Sequence, residues 1–300
     1  MTGRTMTGQI GARLLLALLW ALHGMPLGLQ ATLGRGLGRV LYAAAASRRR
    51  VALRNLELCL PELDASARQR LAREHFQWLG RSLLERGLLW HASPERLKQL
   101  IQIEGDVGLA ERSAKPVMWL VPHFVALDVA AVAARFSFAR PGCTVYQTQS
   151  NAVFDRAVRR GRLRFGAIRL FSRRETAKPL LRAIKEGDGF FNLPDTDFGR
   201  KDAAFVPFFG VPAATLLTPS RMARLLKMTV QPVVADMLPG GQGYRVRFLD
   251  PWTHFPTDDA LADTAAMNRW IEAEVRRNPA QYLWVHKRFK TRPLGEPSLY

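Results

Sequence analysis

Cysteine is nearly missing from this chain. Cys59 and Cys143 are the only two among 300 residues, with no Cys-x-x-C spacing and no cluster with histidine, which argues against a structural zinc site. Two isolated thiols read as the reduced cysteines of a reducing compartment, with a single disulfide as the alternative. Acidic side chains are also scarce: 25 Asp and Glu stand against 44 Lys and Arg, a net charge of +19. Such a surface attracts polyanions, whether nucleic acid, anionic lipid headgroups, phosphorylated substrates or acidic carrier proteins. A nucleic-acid-binding module that would use the charge is absent, as are internal repeats and low-complexity linkers. No G-x-S-x-G elbow is present either, so Ser137 and Ser150 lack the setting of a hydrolase nucleophile.

What is present begins with a run free of formal charge, Leu14 to Gly34, LLLALLWALHGMPLGLQATLG. Its length suits a bilayer crossing, and His23, Pro26 and Gln30 weaken it, which keeps a shallow or tilted anchor open. A buried soluble helix and a cleaved signal peptide are the other readings; Arg4 and Arg13 precede the apolar core, but no clean small-x-small site follows it. Arg35, Arg39 and Arg48–Arg50 lie on its C-terminal side, which puts the main body in the cytoplasm by the positive-inside rule. The expected organisation is a membrane anchor over residues 1–35 and one α/β domain over 36–300.

Residues 64–90 carry Leu71, Phe76, Leu79, Leu83, Leu84 and Leu88 at helical spacing, with Asp64 or Ser66 as N-cap. Beyond residue 100 the rhythm alternates. Short apolar runs at 117–121, 145–148, 168–171, 189–193, 230–235 and 244–249 predict strands. Helices are predicted near 125–135, 151–164, 175–186, 218–227 and 258–277, the third closed by Gly187 and the fourth opened by Thr218-Pro219. The fold class is α/β, helices packed around a mixed, mostly parallel sheet.

The chemistry centres on VPHFVALD. A buried strand ends at Pro122, His123 follows, and Asp128 comes five residues later. If a helix starts just after His123, Asp128 falls a little over one turn on, near the same face, where it can fix the imidazole tautomer and leave the other nitrogen as a base. That is a base and its orienter without a nucleophile, suited to direct attack by a substrate hydroxyl.

Four segments place this pair in context: RNLELCLPEL (54–63), PHFVALD (122–128), LPDTDFGRKDAAFVPFFGVPAAT (193–215) and QYLWVHKRFKTRP (281–293). In that order they resemble the lipid A biosynthesis acyltransferases, the late acyltransferases of lipopolysaccharide assembly, within the wider glycerolipid acyltransferase superfamily. The resemblance spans about residues 50–295. It implies a glycerolipid-acyltransferase-like sandwich with His123 as general base and Asp128 as its partner. It also implies an acyl carrier protein thioester as donor and, as acceptor, a 3-hydroxyl on a primary acyl chain of a phosphorylated, Kdo-bearing disaccharide lipid. No covalent acyl-enzyme, cofactor or metal is implied. Better-known glycerolipid members carry Gly-Thr after the acid of the third motif; here Asp195-Thr196-Asp197 stands instead, which favours the lipid A branch over an acyl-coenzyme A enzyme acting on a lysophospholipid or another glycolipid.

Arginines crowd residues 156–174: Arg156, Arg159, Arg160, Arg162, Arg164, Arg169, Arg173 and Arg174, without a lysine. The guanidinium fork matches phosphate and carboxylate bidentately, although a solvated basic face is the alternative. The family's Arg-x-Arg aligns with Arg162 and Arg164, and Arg173 is the next candidate for substrate binding. Asp195 stands where the superfamily carries the acid of its substrate-binding motif, so it and Asp197 are assigned to substrate binding, a Mg²⁺ pair being the lesser reading; Asp197 and Gly199 also suit a turn. The run 205–212, FVPFFGVP, reads as core or as a wall of an acyl channel. His286 reads as structural, and Lys287, Arg288, Lys290 and Arg292 as cations facing the membrane, an acidic carrier or solvent.

Overall fold

The computed structural model describes residues 6–173 and 177–300. Its helices are α1 (Met6–Leu22), α2 (Leu27–Ala44), α3 (Ala46–Cys59), α4 (Ala65–His91), α5 (Pro94–Leu100), α6 (Leu109–Arg112), α7 (Leu127–Ser137), α8 (Ala152–Leu163), α9 (Ala177–Lys185), α10 (Thr218–Leu225) and α11 (Ala260–Arg277). The strands are β1 (Ile101–Gly105), β2 (Val117–Leu120), β3 (Gly142–Tyr146), β4 (Ile168–Ser172), β5 (Gly189–Asn192), β6 (Ala203–Phe208), β7 (Val211–Leu216), β8 (Thr229–Met237) and β9 (Tyr244–Phe248).

Seven strands form one sheet in the order β1-β9-β8-β2-β5-β3-β4. Every neighbouring pair is parallel except β8 with β9. β2 sits near its middle, which explains its unbroken apolar run: Val117 and Trp119 join the core on the α7 face, while Met118 and Leu120 join the core on the other. A strand buried on both faces has no polar position to alternate with. The three strands not predicted from sequence are of other kinds. β1 is an edge strand buried only at Ile101, and β6–β7 is a separate hairpin turning at Phe209 and Gly210, both with positive φ. That is the backbone a two-residue hairpin loop requires.

The N-terminal run does not form a single helix, and no helix among the described residues is long and apolar enough to cross a membrane. The break falls where the run was weakest. Pro26 has no N–H to give α1 and instead sits before α2 at φ −53°, ψ 138°. Buried Gln30 turns its amide back onto the carbonyls of His23 (3.3 Å) and Met25 (2.9 Å), and Arg96 bonds the same two carbonyls. Residue 35 lies inside α2, which is packed along α4. Gly80 of α4 makes this possible: a Cβ there would lie 2.3 Å from the Gly34 carbonyl oxygen. α1 keeps Ile10, Leu14, Leu18 and Trp20 at least half exposed.

α4 is capped as predicted, with Asp64 Oδ1 accepting from Ala67 N at 2.6 Å. Its buried face carries charge. Arg81 Nε meets Glu85 Oε1 at 2.7 Å, both side chains at most 2% exposed. Arg81 Nη1 also donates to Leu238 O and Tyr244 Oη donates to Glu85 Oε2, at 2.9 and 2.7 Å. Six residues before Arg81, His75 is fully buried with Nδ1 against Ala280 O and Nε2 without a partner among the described residues, and burial pushes its pKa from 6.5 down to about 4. The folded chain therefore keeps this ring neutral where the unfolded chain takes up a proton. Stability is fully present above pH 6.5 and falls, by up to about 1.4 kcal/mol per pH unit, as pH drops toward 4. Thermal unfolding across pH 7 to 4 should show that decline, and His75→Asn should flatten it.

Candidate active site

His123 and Asp195 meet because their strands are neighbours. β2 and β5 pair in parallel with Leu120 opposite Asn192, and each residue lies the same distance beyond its strand, in Val121-Pro122-His123 and Leu193-Pro194-Asp195. The C-terminal edge of a parallel sheet is where this architecture collects reactive groups. Asp195 Oδ1 accepts from His123 Nδ1 at 2.6 Å and its Oδ2 from the His123 backbone N–H at 2.9 Å. The carboxylate is 1% exposed, the imidazole 17%. Burial alone would raise the pKa of Asp195; His123, through charge and hydrogen bonds, outweighs it and holds the group below the usual carboxylate range.

The main chain around His123 is equally fixed. Its carbonyl accepts from Leu283 N at 3.0 Å, Val125 N donates to Gln281 O at 2.9 Å, and Ser82 of α4 donates to Val125 O at 2.7 Å. These contacts displace the expected helix start. α7 begins at Leu127, because Phe124 first pairs with Tyr282 as an isolated bridge. His123 and Asp128 are therefore not on one helical face. Asp128 instead meets Arg162 Nη2 at 3.0 Å and Arg86 Nη2 at 3.4 Å. Partial burial opposes its ionisation, but Arg162 and Arg86, with His123 a smaller contributor, hold it ionised below the ordinary carboxylate range.

The arginine cluster separates into structural and site-facing members. Arg164 donates to Leu89 O and Ala92 O, capping the end of α4. Arg169 grips Asp188 and Glu186, and Arg159 bonds and stacks on Tyr146. Arg162 is committed to Asp128 yet also lines the cleft. Arg173, its guanidinium 4.3 Å from the Phe198 ring centre, lines the same cleft. Arg174 lies outside the described residues.

Asp197 does shape its loop: it accepts from Gly199 N (2.9 Å), Thr291 N (2.6 Å) and Thr291 Oγ1 (2.8 Å). The C-terminal cations divide. Lys287 and Lys290 are exposed, but Arg288 and Arg292 are buried, bonding Ala214 O, Thr215 Oγ1 and Pro212 O. Those two face neither membrane nor solvent; they strap the β6–β7 hairpin to the C-terminal segment. The run 205–212 is mainly this hairpin, with Phe208 in the core.

An open space adjoins His123, and a second, apolar one borders the first. The open cleft holds His123, Arg173, Thr196 and His286. An apolar pocket lies beside it, between α7, α8 and β3–β5, past Trp119, Phe138 and Gly142. Thr144, Arg162, Phe191 and Leu193 border both. Among the described residues the only side chain hydrogen-bonded to the His123 ring is Asp195. Cys59 lines a small chamber beside it but is buried and free, and burial pushes its thiol well above the ordinary range. Cys143 is also free and buried. An imidazole held by a buried carboxylate, in a cleft that borders an apolar pocket, can take a proton from a hydroxyl brought to it.

Comparison with known proteins makes the class specific. The model of the family described as bacterial lipid A biosynthesis acyltransferase matches residues 2–291, and the chain belongs to that family. It is similar to the lipid A biosynthesis lauroyltransferase and palmitoleoyltransferase of Escherichia coli K12, each 32% identical over 288 residues. Those alignments cover 95% of this chain and 93% and 92% of the relatives. The E. coli K12 lipid A biosynthesis myristoyltransferase is also 32% identical, over 90% of this chain and 82% of its own length. The protein is an acyltransferase.

The His123–Asp195 pair escapes a local reading because its members are 72 residues apart. The matching apolar-Pro-x endings of two adjacent strands are the signal that points to it.

Proposed function

We propose that this enzyme transfers a fatty acyl chain from acyl carrier protein to a hydroxyl on a primary acyl chain of a Kdo-bearing lipid A precursor. The observation that carries the reading is the His123 imidazole, held at Nδ1 by buried Asp195, in an open cleft that shares Thr144, Arg162, Phe191 and Leu193 with an apolar pocket. Nδ1 bears the proton that Asp195 accepts, so Nε2 takes the proton of the acceptor hydroxyl as its oxygen attacks the thioester carbon. The tetrahedral intermediate then expels the carrier thiolate, which recovers that proton from His123. Asp195 and Asp128 both favour the imidazolium formed in between. Arg162, fixed by Asp128 at the cleft wall, and Arg173 bind the anionic groups of the substrates. Asp197 acts by setting the loop that carries Asp195, and Arg164 by holding α4 against α8. The runner-up, a membrane acyltransferase using coenzyme A thioesters, shares this chemistry. Purified enzyme offered lauroyl-acyl carrier protein or lauroyl-coenzyme A should use the carrier thioester; transfer from coenzyme A alone would sink the donor assignment.

The body sits on the cytoplasmic side of the bacterial inner membrane. The exposed apolar face of α1, with Arg13 and the arginines of α2 and α3 nearby in sequence, suits a helix lying in the interface of an anionic bilayer.

The apolar cavity receives the acyl chain. Gly142 starts β3 at the end remote from His123, about 13 Å from Tyr146 along the strand. A Cβ at Gly142 meets nothing nearer than the Gly189 carbonyl oxygen at 3.8 Å, so Gly142→Leu fills space without forcing the backbone. It should shift donor preference to shorter chains, by about fourfold for each methylene denied burial. Competing donors of different length, read by product mass, check this; an unchanged preference would reassign the cavity.

A further inference from the structure

The proposed reaction places negative charge on the thioester oxygen, and the His123–Asp195 pair offers that oxygen no donor. A second imidazole faces the same space. His286 lines both the open cleft and a small chamber that it shares with His123, Asp195 and Thr196.

The tautomer of His286 is set by its surroundings. The backbone N–H of Asp197 donates to His286 Nε2 at 3.2 Å. A peptide N–H can only donate, so Nε2 must be the bare nitrogen and Nδ1 must carry the proton. Among the described residues no acceptor is hydrogen-bonded to that Nδ1. The ring is also held in place. Its backbone N donates to Leu283 O, and its carbonyl accepts from Asn55 Nδ2 at 2.7 Å, with Asn55 only 1% exposed. Asp197 is tied in turn to Thr291, so the loop bearing Asp195 and the segment bearing His286 are cross-linked at two points. Burial, with the nearby charge of His123 next in size, pushes the pKa of His286 down to about 4, which keeps the ring neutral at working pH. The other donors at the cleft are less suited: Arg162 is engaged by Asp128, and Arg173 is an exposed side chain stacked on Phe198.

We infer that His286 is a further catalytic residue, whose fixed Nδ1–H donates a hydrogen bond to the oxyanion formed when the substrate hydroxyl attacks the thioester beside His123. The proton stays on His286 throughout. The acceptor O–H proton passes to His123 Nε2, the new C–O bond forms, the C–S bond breaks, and His123 returns the proton to the leaving thiolate. A rigid donor aimed where charge develops stabilises the transition state more than the ground state. One loop thereby serves both histidines, Asp195 through its side chain and Asp197 through its backbone.

The inference rests on the proposed function, and the experiment separates the two. Purified wild type, His286→Ala, His286→Asn, His286→Phe and His123→Ala are assayed with lauroyl-, myristoyl- and palmitoleoyl-acyl carrier protein and a Kdo-bearing lipid A precursor. His286→Ala should lower kcat by about 10²–10³-fold with KM and Tm little changed, and with the pH profile unmoved. His286→Asn, whose amide N–H lies near the lost Nδ1–H, should recover at least about tenfold of that loss; His286→Phe should recover none. Wild-type kcat in His286→Ala, equal loss in all three variants, a lowered Tm that accounts for the loss, or a displaced pH limb would each overturn it. If His123→Ala is inactive while His286→Ala is not, only this inference fails. Full activity in His123→Ala would remove the reading beneath it.

Discussion

His123→Ala is expected to lower kcat for acyl transfer by roughly 10²–10⁴-fold with the fold intact, and Asp195→Asn to approach the same loss. Asp195 is the severe case because of what an amide would do in its place. Its two oxygens accept from the ring Nδ1 and from the backbone N–H of His123. Asparagine has one acceptor oxygen, which the backbone N–H would claim. Its NH₂ would then face Nδ1, the imidazole proton would move to Nε2, and the base would be lost. A wrong tautomer in a buried acid–base pair costs on the order of 10⁴-fold in kcat. Asp128→Asn should cost less, on the order of 10–10²-fold, because its charge is shared with Arg162 and Arg86 and reaches His123 only through space. Steady-state transfer rates, with circular dichroism to check folding, give the ranking. A greater loss in Asp128→Asn than in Asp195→Asn would return the orienting role to Asp128.

The largest stability effect is expected at Arg81. Its guanidinium neutralises Glu85 inside the protein, and the glutamate also accepts from Tyr244. Burial pushes the Glu85 pKa up and Arg81 pulls against it. Arg81→Met strands a buried carboxylate and should destabilise by about 3–5 kcal/mol. Glu85→Leu on its own leaves the guanidinium unpaired and should be similarly harmful. Arg81→Met with Glu85→Leu removes both charges and should regain most of the loss, since two apolar side chains of similar volume need no compensation. Denaturant unfolding of the three variants measures the coupling. Simple additivity would show that the two buried charges are not energetically coupled.

Most of the α/β body is legible in the sequence because its elements announce themselves locally. Pro116 and Pro122 bracket β2, Asp64 caps α4, and Gly187, at φ 110°, closes the helix before β5. The failures share a physical cause, which is that the deciding partner is distant. β1 is an exposed edge strand, without a continuous apolar run. The hairpin contains Pro207 and Pro212, which discourage a strand reading, yet the two pair with each other across it. The N-terminal run passes as one span until Gln30 and Arg96 are seen to satisfy the carbonyls of a turn at His23 and Met25. In the candidate site, His123 is visible as a histidine after a buried strand. Its acid is not, because spacing along the chain favours Asp128 whereas strand pairing delivers Asp195. The arginines mislead similarly: composition suggests one anion site, but Arg164 and Arg169 are occupied by carbonyls and acids of the fold.

This chain is expected to add an acyl group to lipid A through His123. The most direct measurement is mass spectrometry of lipid A from cells that lack their own copy of this enzyme and express either wild type or His123→Ala at equal level. Wild type should restore one secondary acyl chain, seen as the mass of a single fatty acyl group, and His123→Ala should leave that mass missing. Lipid A of the same mass from both would exclude His123 from the reaction.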